Sequence, residues 1–188
     1  MVGNDIVDLK EAQNASSWQR PRFLDKLFTD IEQTYIENSN NPFTTVWRLW
    51  SMKEAAYKLF IQQNPDRFYN PKKFECRIEK NSGIVKFQTF RCYVETKITS
   101  DYVLSEARCI QNNLTSEVLK FEDKNQKMQS VMLKRMLMNA LSETLKIPKT
   151  ALIFRVSKLG TPSVSYNNKI INVSLTHHGN YGAFALGV

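Results

Sequence analysis

The stretch RLWSMKEAAYKLF, Arg48 to Phe60, contains neither Gly nor Pro and is built largely from good helix formers. At 100° per residue, Glu54 and Lys58 fall one turn apart on one face, in line with Trp47 and Ser51. Leu49, Met52, Ala55, Ala56 and Leu59 cover the opposite half, and Lys53 lies on the other flank of Tyr57. The charged groups therefore occupy a narrow groove in an otherwise buried helix. An ordinary surface Glu–Lys pair at this spacing stabilises by only about 0.3–0.5 kcal/mol. The functional reading is a carboxylate that holds a divalent cation, beside ammonium groups that neutralise the oxygens of a phosphate ester. Magnesium takes only one or two protein carboxylates and leaves its other positions to water and substrate phosphates.

The start of this helix is placed just after Pro42, with Thr44 or Thr45 as N-cap, and its end before Pro65. Upstream, MVGNDIVDLK reads as a strand whose period-2 faces are Gly3, Asp5, Val7, Leu9 and Val2, Asn4, Ile6, Asp8. Asp5 thus shares a face with apolar residues, a place a carboxylate keeps at a solvated end or for a partner. Residues 17–40 read as helical, with a capping-box start at Thr29-x-x-Glu32. Residues 73–110 alternate and are β-rich, with a turn at Asn81-Ser82-Gly83. A long helix follows over 124–146. Its ridge of Leu133, Leu137, Leu141 and Leu145 and its adjacent ridge of Met128, Met132, Met136 and Ala140 both read as core. Short strands then fall at 153–156, 163–166, 170–176 and 183–187. The pattern predicts an α+β fold, an antiparallel sheet packed against helices, in one domain over 1–188. Each half runs helix then strands, which leaves room for two pseudo-repeats over about 1–115 and 116–188.

Composition bounds the function. No run approaches the ~18 apolar residues of a membrane span, and Asp5 and Asp8 stand where a signal peptide needs basic and then apolar residues. The expectation is a soluble, cytoplasmic protein. Cys76, Cys92 and Cys109 form no CxxC pair and support neither a zinc knuckle nor a disulfide framework. The net charge is +8, and after Glu143 there are five basic residues and no acidic one. That asymmetry points to an anion site or to an acidic partner. Nucleic acid is a competing reading from charge alone, without an aromatic-plus-basic recognition motif behind it.

Three segments together carry a family resemblance. GNDIVDL (3–9), WSMKEAAYK (50–58) and VSLTHHGNYGAFAL (173–186) resemble the 4′-phosphopantetheinyl transferase superfamily, with its G-x-D-[IV] strand, [WF]-x-x-K-E-[AS]-x-x-K helix and S-[IL]-[ST]-H segment. LFTDIEQTYI (27–36) resembles the matching stretch of the short, holo-acyl-carrier-protein-synthase class, and LGTPSV (159–164) the turn before the His segment. The resemblance covers about 2–60 and 157–188 and not the longer middle. The long helix, LGTPSV and VSLTHH also resemble the first half of the longer, surfactin-synthetase-activating class, here in reversed order. Two arrangements follow: a pseudo-dimeric monomer whose site closes within one subunit, or a homo-oligomer.

The resemblance implies transfer of 4′-phosphopantetheine from coenzyme A to a serine of an acidic acyl or peptidyl carrier protein, with release of adenosine 3′,5′-bisphosphate. It implies Mg²⁺ on Asp5 and Glu54, with Glu54 also the base for the carrier serine. Lys58 would stabilise the leaving phosphate, and Lys53 and Arg48 would join the coenzyme A contacts. Thr176 and His177 match the phosphate-binding segment, with His178 an unneeded neighbour. Gly160, Thr161 and Pro162 would form the turn near the adenine. Thr161 replaces the usual basic residue, for which Lys158 compensates. Asp8 is a weaker metal candidate. Glu11 stands where the short class has a basic carrier-contacting residue, a task left to Arg20, Arg22 or Lys26. A non-catalytic coenzyme A binder of the same fold is the alternative; it would call for a lost metal ligand, and both Asp5 and Glu54 are present.

Overall fold

Val2–Asp8 forms the first strand, β1, and every residue in it is buried. It ends where it does because Asp8 caps the following helix, its Oδ1 accepting from Glu11 N at 3.0 Å. Leu9 and Lys10, expected to continue the strand, therefore open α1 (Leu9–Ala15). The structure is a computed structural model that describes residues 1–64, 68, 70–110 and 114–187.

Two short helices follow, α2 (Phe23–Leu27) and α3 (Asp30–Glu37). The expected capping box opens α3: Thr29 N donates to Glu32 Oε2 at 2.8 Å and Glu32 N to Thr29 Oγ1 at 3.4 Å. Residues 17–22 are not helical, and Arg22 has a left-handed backbone (φ 66°). The central helix α4 (Pro42–Gln63) is capped by Asn41, not by Thr44 or Thr45; Asn41 Oδ1 accepts from Thr44 N at 3.1 Å. Pro42 fits its first turn, where no intrahelical N–H bond is needed. Pro65 lies outside the described residues.

Four antiparallel strands complete the first sheet: β2 (Glu75–Glu79), β3 (Ser82–Phe87), β4 (Phe90–Ile98) and β5 (Tyr102–Arg108), in the order β1-β5-β4-β3-β2. The first turn falls at Lys80–Asn81, with Lys80 at φ 36°, so Ser82 and Gly83 belong to β3 and not to the turn. The second half repeats this plan. β6 (Thr115–Lys120) is followed by α5 (Gln126–Leu145), then β7 (Ile153–Val156), β8 (Pro162–Tyr166), β9 (Lys169–His178) and β10 (Tyr181–Leu186). Their sheet order, β6-β10-β9-β8-β7, has the topology of the first.

Each sheet buries one helix. α4 packs Leu49, Met52, Ala55, Ala56 and Leu59 against the first sheet. α5 packs Leu137 and Leu141 against Val164, Val173, Phe184 and Leu186 of the second. Leu133 is also buried and Leu145 half-buried, so the leucine ridge is core as expected. The adjacent ridge is split: Met136 and Ala140 pack half-buried against that core, whereas Met128 and Met132, nearer the start of α5, are exposed. Ile6, Leu104, Tyr181 and Ala183 form a small third cluster where the sheets meet. Among the described residues, no helix is long and apolar enough to cross a membrane.

Candidate functional site

The site lies where β1, α4 and β9 converge. β1 alternates, and its odd-numbered side faces α4. A Cβ on Gly3 would fall 2.0 Å from Ala55 O and 2.8 Å from Leu59 N, so only glycine allows so close an approach. Two residues on, Asp5 reaches the same helix. Lys58 Nζ donates to Asp5 Oδ1 at 2.8 Å and to Asn4 O at 2.9 Å. The Thr176 hydroxyl donates to that same Oδ1 at 3.0 Å. The Asp5 and Lys58 side chains are only 11% and 26% exposed, which removes much of the solvent screening a surface pair suffers.

β9 holds β1 by side chains instead of backbone. Asn4 N donates to Ser174 Oγ (3.0 Å), Ile6 N to Thr176 Oγ1 (3.3 Å) and Asp8 N to His178 Nδ1 (3.1 Å). β1 is an edge strand, and these bonds satisfy the alternate N–H groups that β5 does not pair. From α4, Gln62 Nε2 donates to Val2 O at 2.6 Å. His178, dismissed from sequence as a neighbour of no use, is thus part of this joint, as are Ser174 and Gln62. For Ser174 and His178 the available signal was a polar residue at every second position from Asn172 onward, with Val173 and Leu175 between the first of them.

Glu54 sits half-buried one turn before Lys58 on the same stripe of α4. Asp5 and Glu54 are two carboxylates on rigid elements beside an ammonium. Asp5 Oδ1 is taken by Lys58 and Thr176, and Oδ2 accepts no hydrogen bond from a described residue. Among the described residues no group of three or more His, Cys, Asp or Glu side chains is placed to hold a metal ion by itself. This donor set suits a hard cation that fills its remaining positions with water and phosphate, and it does not suit an all-protein cage. Asp8 serves otherwise. Its oxygens accept from Glu11 N and, at 2.9 Å, from Asn180 N, so it ties the first turn of α1 to the turn between β9 and β10.

Thr176 and His177 are adjacent, so their side chains leave β9 on opposite faces. His177 opens onto a cleft of about 300 Å³ that it shares with Glu11, Lys124, Gln126 and Gln129. Burial lowers its pKa, and the Lys58 charge and then His178 lower it further. At neutral pH its imidazole is therefore chiefly neutral. Beyond Gln62, a cleft of about 360 Å³ is lined by Ile61, Lys158, Leu159, Thr161 and Pro162. The expected turn thus borders the end of α4, with Gly160 at φ +82° and Lys158 on the same cleft.

Two residues expected among the coenzyme A contacts are placed elsewhere. Lys53 is fully buried, and its Nζ donates to both Glu32 oxygens (2.8 Å each), Pro71 O (3.0 Å) and Phe74 O (2.7 Å). It points away from the Glu54–Lys58 stripe and spends its donors on α3 and the chain before β2. Arg48 donates to Ser82 O at 3.1 Å. It lies ten residues before Lys58, about 15 Å along the helix axis, and on the sheet-facing side.

Comparison with known proteins follows the first half of this geometry. A family model described as the 4′-phosphopantetheinyl transferase superfamily matches residues 1–107. The match takes in β2 to β5, which the motif resemblance left out, and does not extend to β8–β10. A holo-[acyl-carrier-protein] synthase of Campylobacter lari is 38% identical over 58 residues, 31% of this chain and 47% of that protein. One from Finegoldia magna is 36% identical over 56 residues, 30% of this chain and 46% of that protein. One from Chlamydia trachomatis is 32% identical over 57 residues, 30% of this chain and 48% of that protein. The chain spans about half the length of the relatives it matches. With the family model covering more than half of its residues, the chain belongs to the 4′-phosphopantetheinyl transferase superfamily.

Proposed function

We propose that this protein transfers the 4′-phosphopantetheine arm of coenzyme A to a serine hydroxyl of an acyl or peptidyl carrier protein. The observation that carries the reading is the meeting at Asp5. A strand motif, a helix motif and a β9 motif, far apart in sequence, join there through Lys58 at 2.8 Å and Thr176 at 3.0 Å.

In this reading the serine oxygen bonds to the phosphorus that carries the pantetheine arm. The bond from that phosphorus to the bridging oxygen breaks, and adenosine 3′,5′-bisphosphate leaves. Glu54 takes the serine proton, directly or through water. Lys58, already at the Asp5 carboxylate, offsets charge on the leaving phosphate. Asp5 and Glu54 would hold Mg²⁺, which when bound neutralises pyrophosphate charge. His177 donates to a coenzyme A phosphate, and the turn at Gly160–Pro162 borders the nucleotide. The two sheet-and-helix halves act as pseudo-repeats that close one site within one subunit. Three unpaired thiols, Cys76, Cys92 and Cys109, fit the reducing cytoplasm.

The test is intact-mass spectrometry of an apo carrier protein incubated with coenzyme A and Mg²⁺. Wild type adds one phosphopantetheine, and Glu54→Ala does not. Failure of wild type on fatty-acid, polyketide and peptide carriers, with coenzyme A still bound, would replace the reading with a non-catalytic binder.

A further inference from the structure

We infer that Ser51, Ser105 and Thr96 are positioning residues for the reaction, a buried chain of hydroxyls that sets the Glu54 turn of α4 against Asp5. The inference rests on the transfer reading above, with Asp5 and Glu54 as its two carboxylates. In the first sheet Thr96 of β4 stands opposite Ser105 of β5, and Ser105 stands opposite Asp5 of β1. The three make one row on the face that α4 covers. The rows on either side, Val94, Ala107, Gly3 and Ile98, Val103, Val7, contain no hydroxyl. Directly opposite residues keep their Cβ atoms about 4.5–5.5 Å apart, so Ser105 is the neighbour of Asp5 within the sheet.

Ser51 joins the row from α4. Its Oγ lies 2.6 Å from Ser105 Oγ, and Ser105 Oγ lies 3.2 Å from Thr96 Oγ1. Ser51 also donates to Arg48 O at 3.2 Å. Each hydroxyl has one proton, so the donations run one way, from Thr96 to Ser105, then to Ser51, then to the helix backbone. Ser51 and Ser105 have no exposed surface, and Thr96 is buried. Such a chain stabilises little over apolar side chains of the same shape. What it adds is direction. Leu49, Met52, Ala55 and Leu59 hold α4 to the sheet by apolar contacts, which have no preferred direction.

Both ends of the chain lie beside a carboxylate. Ser105 is next to Asp5, and Ser51 is one turn before Glu54 on the same stripe of α4. A roll of α4 by about 10° would carry a carboxylate about 6 Å from the helix axis through about 1 Å. A misplacement of that size costs on the order of 100-fold in a reaction that depends on orientation. Lys58 has a long, flexible stem with which to follow such a roll. Glu54 is shorter, so it is the group that needs the anchor.

The test uses the full chain and three variants. Ser51→Ala cuts the link to α4 and leaves Ser105 and Thr96 paired. Ser51→Ala/Ser105→Ala/Thr96→Val removes every hydroxyl of the chain and strands none. Thr96→Ser keeps the hydroxyl and is the control. Each is measured for denaturant unfolding, for steady-state transfer to an apo acyl carrier protein, and for Mn²⁺ binding by electron paramagnetic resonance with coenzyme A present and no carrier. Ser51→Ala and the triple variant are expected to lower kcat on the order of tenfold at an unchanged carrier KM, and to weaken Mn²⁺ binding by a similar factor. Thr96→Ser stays within about twofold of wild type in both. Wild-type kcat and Mn²⁺ affinity in folded Ser51→Ala overturn the inference. So does a loss of kcat that the unfolded fraction alone accounts for, or an equal loss in Thr96→Ser. Mn²⁺ binding that Ser51→Ala weakens, with no transfer even by wild type, supports the positioning chain and removes the transfer reading.

Discussion

Thr176 and Asp5 are joined by a hydroxyl with two tasks. Thr176 Oγ1 accepts from Ile6 N at 3.3 Å and donates to Asp5 Oδ1 at 3.0 Å. One atom thus fixes both the height of β1 over β9 and the direction of its carboxylate. Thr176→Val keeps the shape and removes the hydroxyl. The buried Ile6 N–H then lacks a partner, a loss of about 1–3 kcal/mol of stability. With the Asp5 rotamer released, kcat/KM is expected to fall about tenfold. Thr176→Ser restores most of both. A valine variant with wild-type kcat/KM and melting temperature would show that the hydroxyl positions nothing.

The Lys53–Glu32 pair has no exposed side-chain surface. Glu32 also accepts from Thr29 N and from Cys76 N, so this one carboxylate ties α3, α4 and β2 together. Lys53→Met leaves Glu32 charged and buried without its cation, a loss of about 3–5 kcal/mol. The double variant Lys53→Met/Glu32→Met recovers part of that loss, since no charge is then stranded. Denaturant unfolding of the three variants measures the coupling. The competing role, a phosphate contact, predicts the reverse signature: weaker coenzyme A binding by Lys53→Met with unchanged unfolding.

These cases show what periodicity can and cannot reveal. The wheel of α4 placed Glu54 and Lys58 on one stripe and Lys53 off it, because helical spacing dictates angular position. It did not reveal that Lys53 meets a carboxylate 21 residues upstream, since the fold of α3 onto α4 is a long-range event. The capping box at Thr29 was readable because both partners lie within one turn. The ridge at Met128 and Met132 was misjudged for the opposite reason. An apolar stripe states a preference for burial, and whether a second layer arrives depends on the whole chain. Asp5 was singled out as a carboxylate on an apolar face, and its partner Lys58 arrives only because Gly3 lets β1 close on α4.

That closure makes Gly3 a sensitive position. An added methyl would sit 2.0 Å from Ala55 O, a backbone atom that cannot swing aside. β1 must move outward, and the Lys58–Asp5 contact moves with it. Gly3→Ala is expected to cost about 1–3 kcal/mol or more by overpacking and to impair transfer. Gly160→Ala is the control. Its Cβ meets nothing within 4 Å, so only the strain of φ +82° remains, about 1–2 kcal/mol. Equal stability losses for the two alanines would argue against the close-approach account.

Glu106 gives a pH prediction whose sign is determined by its surroundings. It stands opposite Asn4 across β5 and β1, and its Oε1 is buried without a partner. Burial raises its carboxyl pKa, while Ser116, through a hydrogen bond, and then the Arg108 charge pull it down. A folded pKa above the unfolded one means that the folded chain binds more protons in the window between them. Stability therefore falls as pH rises from the unfolded value through the folded one, and the loss is complete above it. Glu106→Gln removes the charge and keeps an acceptor for Ser116. At pH 7 it is expected to raise the melting temperature, and below the ordinary glutamate range the difference should vanish. Melting curves of both proteins from pH 4 to pH 8 give the comparison. A variant that is less stable than wild type at pH 7 would mean that the Arg108 charge outweighs the burial of Glu106, and that the joint between the sheets depends on an ionised carboxylate.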